Sequence, residues 1–323
     1  MLMTLKPVFA IGSALVVTAL MVQPLSTRAC TTFASVGAAN ADSGLIIAKN
    51  RDSTQGFEQL AVREEAGKNT YLGLFFNVDD KQPYPLISAG INEHGLTVVQ
   101  NEAVAITSAQ LAEDAPHGSA VIYNVLEGYS SVADVLADQQ TLFGNGYANF
   151  LIIGDQTEAI LVEIGPEENT YQILRASDNN NRLYHTNHYV LQSMRRHNKV
   201  FYPDSEDRFA TIKKLMTGAK AQLTVDGNYY HWINSAQNGQ YNSMFRNITV
   251  ASWIAAIPES GTPELMVRLT SPSVKYQQYK IQLTPEFWSN PPAEIKPFTP
   301  GFSGIEAEPV NSQQRYTYSA TEL

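Results

Sequence analysis

The sequence contains a single cysteine in 323 residues, which excludes an internal disulfide, a site built from several thiolates and an iron–sulfur cluster. Basic residues are also scarce, because 22 Lys and Arg stand against 31 Asp and Glu, for a net charge of −9. Nucleic-acid binding needs a basic face, so this balance argues against a DNA or RNA partner. With 44% hydrophobic residues, the chain has the composition of a folded domain with a large core.

Long apolar runs are absent except near the N-terminus. Residues 1–29 carry Lys6, then a mostly apolar run from Val8 to Val22, and end in Thr27-Arg28-Ala29, which is the layout of a secretory signal. The run is shorter than the about 20 residues that span a bilayer, although a retained anchor is the alternative. We therefore predict a signal peptide over 1–29, a mature chain that is exported to the periplasm or secreted, and no stable membrane insertion after processing.

Cleavage after Ala29 makes Cys30 the first residue of the mature chain. One interpretation is a non-catalytic exported lipoprotein lipidated on Cys30, which is disfavoured because Thr27 stands where lipidation usually requires Leu. The other is an N-terminal nucleophile, in which the free α-amine of Cys30 takes the proton of its own thiol. Any neighbouring cation would raise the thiolate fraction.

A β-hairpin is predicted directly after Cys30. Thr31 to Ser35 and Gly44 to Asp52 are β-prone segments separated by Gly, Ala, Asn, Asp and Ser. Antiparallel pairing would return the end of the second strand to Cys30. Alternation places Lys49 and Arg51 on one face of that strand, and whether they are surface charges stays open.

The rest of the chain alternates blocks of predicted strands and helices. Strands are predicted at 71–76, 86–89, 96–100, 149–153, 159–164, 170–176, 249–257, 264–270 and 276–283, and helices at 120–126, 131–140 and 204–216. Such a pattern favours an α+β layered domain over 30–290. Residues 291–323 contain five prolines and are predicted to be an extended C-terminal tail.

Five segments follow one another along the chain in a recognisable order: Cys30-Thr31-Thr32, Ala48 to Asp52 (AKNRD), Ala89 to Asn101 (beginning AGINEHG), Tyr184 to Tyr189 (YHTNHY) and Ser205 to Arg208 (SEDR). In these segments the sequence resembles the choloylglycine hydrolase and penicillin acyltransferase-like cysteine amidohydrolases. The resemblance implies an N-terminal nucleophile hydrolase fold, a four-layer αββα sandwich with two stacked antiparallel sheets between helix layers.

The resemblance also implies the roles of five residues. Cys30 would be the nucleophile and, through its α-amine, the general base. Asp52 would accept hydrogen bonds from that amine, and Arg208 would lie near the thiolate. Asn187 would donate its side-chain amide to the oxyanion of the tetrahedral intermediate, and Asn101 is a weaker candidate for a second contact to the substrate carbonyl.

One position departs from the bile salt hydrolases, which carry Arg three residues before the aspartate where this chain has Lys49. A lysine is not a bidentate clamp, so the departure favours the acyltransferase-like branch. His185 and His188 form an H-x-x-H pair, but strand-like surroundings would direct their side chains apart. We predict neither a metal nor a cofactor.

The predicted function is therefore that of an exported cysteine amidohydrolase. It would cleave the amide bond of an N-acyl compound, in the class of penicillin V, bile salts and N-acyl amides, through a Cys30 thioester. Acyl transfer to an amine and a dipeptidase-type cysteine peptidase of the same superfamily remain alternatives. The expected partner is the small-molecule substrate, and formation of a homo-oligomer is left open.

Overall fold

The computed structural model describes residues 29–53, 58–76, 86–270, 277–292 and Ile295. Within these ranges the strands are β1 (Thr31–Val36), β2 (Leu45–Asp52), β3 (Gln59–Arg63), β4 (Tyr71–Phe76), β5 (Leu86–Asn92), β6 (Thr97–Glu102), β7 (Asn149–Gly154), β8 (Ala159–Ile164), β9 (Tyr171–Arg175), β10 (Arg182–His185), β11 (Thr249–Ile257), β12 (Glu264–Leu269) and β13 (Gln277–Gln282). The α-helices are α1 (Ser108–Gly128), α2 (Val132–Ala137), α3 (Gln139–Phe143), α4 (Pro203–Gly218), α5 (Tyr230–Ile233), α6 (Gly239–Asn242) and α7 (Pro285–Ser289).

These strands form two antiparallel sheets. Sheet I has the order β10-β1-β2-β11-β12-β13, and sheet II has the order β3-β4-β5-β6-β7-β8-β9. Ile47 of β2 and Leu161 of β8 belong to one buried apolar cluster, which fills the space between the sheets. A second cluster joins Val125 of α1 to sheet II, and a third joins Ile46 of β2 to Ile212 of α4. The predicted αββα layering is confirmed.

The predicted hairpin is also confirmed. β1 pairs with β2 in an antiparallel register that sets Thr31 opposite Asn50 and Thr32 opposite Lys49. Asn40 closes the turn, because its side-chain amide donates to the main-chain oxygens of Ser35 (2.8 Å) and Gly44 (2.7 Å). A Cβ on Gly44 would lie 2.0 Å from the carbonyl oxygen of Ile257. Only glycine fits at this close approach of the two backbones.

Most predicted elements are present with similar bounds, and the strands at 71–76, 159–164 and 249–257 agree in full. Sequence patterns did not identify β3 and β10 as separate strands, and both lie at sheet edges. Edge strands are short and bury fewer side chains, so their alternation is weak. The proposed boundaries 1–29, 30–290 and 291–323 stay predictions, because nearly all of the first and last segments lies outside the described residues.

Among the described residues, no helix has the length and apolar character that crossing a membrane requires.

Candidate active site

Cys30 lies immediately before β1 and is buried, with 7% of its surface exposed. The chain is continuous through Ala29 in this structure, so the nitrogen of Cys30 is a peptide nitrogen. The same atom would be an α-amine in the mature chain predicted above. It donates a hydrogen bond of 2.8 Å to Asn187 Oδ1. This hydrogen bond therefore joins the residue before β1, which is the candidate nucleophile, to the segment that follows β10.

Both the oxygen and the nitrogen of the Asn187 side-chain amide make polar contacts. Oδ1 also accepts from Arg208 Nη2 at 3.1 Å, and Nδ2 donates to the carbonyl oxygen of Glu102 at 2.9 Å. The backbone N–H of Asn187 donates to Ser205 Oγ at 2.8 Å. The amide nitrogen that was predicted to bind an oxyanion is thus bonded to the Glu102 carbonyl in this structure, and its catalytic role stays a prediction.

Arg208 reaches the same cluster from α4 and is 0% exposed. Its Nη1 donates to the carbonyl oxygen of Cys30 at 2.6 Å and to Thr31 Oγ1 at 2.8 Å. Burial lowers the pKa of Arg208, and the Arg246 guanidinium adds to this effect. A guanidinium nevertheless stays charged in proteins. Arg208 is therefore a fixed cation that holds the main chain of Cys30 in place.

Asp52 ends β2 and is buried beside two donors. Thr249 Oγ1 donates to Oδ1 at 2.6 Å, and Arg246 Nη1 lies 3.3 Å from Oδ2. Burial raises the pKa of Asp52, against the opposing effect of the Arg246 charge. The sequence predicts that Asp52 accepts hydrogen bonds from the amine of Cys30. In the structure, the Cys30 nitrogen donates to Asn187 Oδ1 instead.

Arg246 is a residue that sequence reasoning missed. Its Nη1 bridges Asp52 and the Oδ2 atom of Asp204, at 3.0 Å from the latter. No local motif surrounds Arg246. It reaches the site because β11, which begins three residues later, pairs with β2. Only knowledge of that long-range pairing would have identified it.

Lys49 and Arg51 are not surface charges, and this alternative from the sequence is wrong. Lys49 is 1% exposed and Arg51 is 6% exposed, because sheet I is covered on both faces. Lys49 Nζ donates to the carbonyl oxygen of Gln100 in sheet II. Arg51 pairs with Glu58 at 3.3 Å and stacks over the ring of Phe76 at 4.1 Å.

Asn101 also lies in the cluster and is 1% exposed. Its Nδ2 donates to Thr32 Oγ1 and to the carbonyl oxygen of Thr186, both at 2.9 Å, and to that of His185 at 3.3 Å. Oδ1 has no hydrogen-bond partner among the residues that the structure describes. The atom left for a ligand is therefore an acceptor, whereas a contact to a substrate carbonyl needs a donor. That predicted role remains untested.

The two histidines of the H-x-x-H pair diverge, as predicted. His185 Nε2 lies 2.8 Å from Glu163 Oε1, between the sheets. His188 Nδ1 lies 2.8 Å from Ser205 Oγ, at the α4 side. Across the described part of the chain, no group of three or more His, Cys, Asp or Glu side chains is placed to hold a metal ion.

His188 gives a prediction about stability. Burial lowers its pKa from 6.5 to about 4, and the nearby charge of His185 adds to this. Between these values the unfolded chain binds a proton that the folded chain refuses, so the free energy of unfolding falls as the pH falls. Allowing for partial exposure, we expect wild type to lose about 1 kcal/mol more than His188→Asn between pH 7 and pH 5.

Urea unfolding at the two pH values measures this difference. His94→Asn is the matched control, because His94 is exposed and lies in a turn between β5 and β6, and it should follow wild type. Parallel stability curves for wild type and His188→Asn would contradict the prediction.

A cavity of about 600 Å³ lies at the other end of the sandwich. Ile257 lines it and pairs with Leu45 at the start of β2, whereas Cys30 lies beside the end of β2. Glu93 and His94 also line the cavity, but Thr70 N donates to the first and Asn69 Oδ1 contacts the second. The candidate catalytic residues around Cys30 therefore lie at the opposite end of the sandwich from this cavity.

Two stacked antiparallel sheets between helices, with a buried cysteine at the start of a strand inside sheet I, define a sandwich of the N-terminal nucleophile hydrolase type. The profile of one family, described as Acyl-coenzyme A:6-aminopenicillanic acid acyl-transferase, matches residues 39–261. This match covers well over half of the chain, and the protein belongs to that family. Membership supports an acyl-transfer or amidohydrolase role. The match begins after Cys30, and no curated protein matches the chain.

Proposed function

We propose that the mature chain is an exported cysteine amidohydrolase that cleaves the amide bond of an N-acyl compound through an acyl thioester on Cys30. One observation carries the proposal: both polar groups of the Cys30 main chain have a buried polar partner. Its nitrogen donates to Asn187 Oδ1, and its carbonyl oxygen accepts from Arg208 Nη1. Such fixation is what an attacking group needs, because misplacement by about 1 Å costs about a hundredfold in rate.

The reaction follows from this arrangement in two stages. The Cys30 sulfur attacks the carbonyl carbon of the amide, the carbonyl oxygen becomes an oxyanion, and the amine leaves with a proton. Water then attacks the thioester carbon, so that the acid leaves and the thiol is restored. A single donor to the oxyanion contributes about 3 kcal/mol to such a reaction, and the Asn187 amide is our candidate for it.

Export and processing after Ala29 belong to the same proposal. Ala29 is fully buried in the folded chain, so a peptidase would have to cut before the domain folds, as happens when a leader is removed during translocation. Burial of Cys30 also disfavours the lipoprotein alternative, because a sulfur that carries acyl chains would have to leave the interior. Intact mass of the exported protein separates a bare Cys30 from a lipidated one.

A panel of amides tests the activity. Mature wild type, Cys30→Ala and Cys30→Ser are incubated with penicillin V, a conjugated bile acid, a long-chain N-acyl amide and a set of dipeptides, and the released amine is measured. We expect wild type to cleave at least one N-acyl amide and both variants to lose about a thousandfold or more. If Cys30→Ala cleaves as fast as wild type, Cys30 is not the nucleophile.

The family description names an acyl transferase, so the panel includes a transfer arm. An acyl-coenzyme A is supplied with 6-aminopenicillanic acid, and the amide product is compared with the free acid. Formation of the amide above the free acid would favour acyl transfer over hydrolysis, and cleavage of dipeptides alone would favour the peptidase alternative.

A further inference from the structure

The cavity at the far end of the sandwich from Cys30 has apolar walls. Its volume of about 600 Å³ is in the range of ligand-binding sites. Ile257 and Leu283 line it and are buried members of the apolar cluster between the sheets, so the cavity reaches one end of that cluster. Pro263, Pro285 and Trp288 also line it. An opening of this kind is typical of a surface that binds an apolar partner.

The polar side chains around the cavity are bonded to neighbours within the chain. Asn92 Nδ2 donates to the carbonyl oxygen of Leu126 at 3.0 Å, and Gln156 Nε2 donates to that of Pro258 at 2.6 Å. Glu93 Oε1 accepts a hydrogen bond of 2.8 Å from a backbone N–H. The lining therefore favours an occupant that is held mainly by apolar contacts over a small charged ligand.

The last described residues bring the C-terminal segment to this side of the domain. Ser289, the last residue of α7, lines the cavity, and Ile295 follows a few residues later. Ile295 is half-buried and packs against the apolar cluster between the sheets, as do Phe287 and Trp288. The chain therefore lies against the core again at Ile295, and residues 296–323 continue from this point.

The sequence that follows Ile295 suits such a cavity. Residues 296–303 read KPFTPGFS, in which Pro297 and Pro300 form a P-x-x-P pattern and Phe298 and Phe302 supply apolar side chains. Segments of this kind favour the polyproline II conformation, and apolar grooves with aromatic walls bind them at a low cost in entropy. Eight such residues at ~3.1 Å each reach roughly 25 Å, which is enough to cross the cavity.

We propose that residues 296–303, named here the docking segment, bind in this cavity of their own chain and cover the end of the core. A short tether gives an effective concentration of about millimolar, so weak contacts suffice to hold the segment. The charges agree, because the docking segment carries Lys296 and no acidic residue, and Glu93 lies at the cavity. The inference concerns an interaction surface and does not depend on the proposed function.

Photo-cross-linking in the chain with its full C-terminus identifies the occupant. The photoreactive amino acid p-benzoylphenylalanine replaces Phe298, the protein is irradiated, and the cross-linked positions are mapped by mass spectrometry. We expect an intramolecular cross-link to residues 91–95 or 257–263, which contribute to the cavity but are remote in sequence. The same probe in place of Tyr318, which lies outside the docking segment, is the matched control and should not cross-link there.

Thr262→Arg is expected to block the cavity. Thr262 lines the cavity and is exposed, so a larger side chain enters the cavity without disturbing the core. The yield of the cross-link from position 298 should fall by about tenfold or more, because a steric clash opposes the docked state. Thr217→Arg changes an exposed residue of α4 that does not line the cavity, and it should leave the yield unchanged.

Shortened chains give a second measurement. A chain that ends at Ser303 keeps the docking segment, whereas one that ends at Ile295 lacks it. We expect the thermal midpoint of the shorter chain to be lower by about 2 °C or more, because the docking segment binds only the folded state. A free peptide of residues 296–303, added at about millimolar concentration, should raise the midpoint of the shorter chain and leave that of the longer one unchanged.

Three results overturn the proposal. A cross-link between two chains, seen as a dimer mass, would assign the cavity to a second copy of the protein. Absence of an intramolecular cross-link at the cavity, or equal midpoints for the chains that end at Ile295 and Ser303, would show that the docking segment does not bind there. None of these measurements uses an amide substrate, so they do not bear on the role of Cys30.

Discussion

Replacing Arg208 by Met is expected to lower turnover of an N-acyl amide by about a thousandfold and to destabilise the fold by about 3–5 kcal/mol. The variant removes three hydrogen bonds at once, to the carbonyl oxygen of Cys30, to Thr31 Oγ1 and to Asn187 Oδ1. Without them neither the nucleophile nor the amide of Asn187 has a fixed position. The stability loss arises because buried acceptors and the Asp204 carboxylate lose a cation.

The two effects are measured separately. Turnover is compared at a temperature where circular dichroism shows every variant folded, and the free energy of unfolding comes from urea titration. Arg196→Met is the matched control, because Arg196 is exposed, and it should keep both quantities near wild type. Arg208→Met turnover within a few-fold of wild type would remove Arg208 from the site, whatever its stability.

Burial is the reason why an Arg208 variant should lose stability as well as turnover, and the sequence pattern of the helix does not indicate that burial. The periodicity of α4 identified the helix and placed Arg208 near its start. It did not show that the guanidinium is 0% exposed or that it is enclosed with three other charged side chains. A long polar side chain is usually exposed, and only the packing of α4 on sheet I overrides that preference.

The hairpin shows what local sequence does determine. Turn residues between two β-prone segments predict β1 and β2, and their antiparallel register places Lys49 beside Cys30. Alternation then assigns Lys49 to one strand face, but it does not reveal that sheet II covers that face. All residues of β2 are buried. Charged residues whose alternation suggests a solvent-exposed face are therefore interior groups with specific partners.

Long-range strand pairing explains why the other residues of the site could not be predicted from the sequence. Asp52 was identified from its neighbours in the chain, whereas Thr249 and Arg246 bind it only because β11 lies next to β2. Nearly two hundred residues separate these partners. No periodicity or spacing carries information over that distance, because strand order depends on how the two sheets pack as a whole.

The second large effect is expected at the pair of Glu163 and His185, which are both 0% exposed and 2.8 Å apart. The other ring nitrogen of His185, Nδ1, lies 2.8 Å from the carbonyl oxygen of Thr186. Both nitrogens thus face oxygen atoms at hydrogen-bond distance. The pair is a buried polar contact that joins β8 of sheet II to β10 of sheet I.

Glu163→Leu is therefore expected to destabilise the fold by about 3 kcal/mol, because it leaves buried polar groups, His185 Nε2 among them, without their partner. Glu163 Oε1 also accepts hydrogen bonds from the backbone N–H groups of Val190, at 2.6 Å, and Leu191, at 3.2 Å. The segment between these contacts carries Asn187, so turnover should fall as well.

A double-mutant cycle in urea tests the contribution of this contact. His185→Leu in the Glu163→Leu background removes the ring that has lost its partner, so the double variant should regain part of the lost stability. Recovery stays incomplete because the N–H groups of Val190 and Leu191 remain without Glu163. Glu58→Leu gives a comparison at a second buried pair, with Arg51 at 3.3 Å. Additive losses from the two Leu substitutions would show that Glu163 and His185 do not act as a pair, and the link between the sheets would then be one of packing alone.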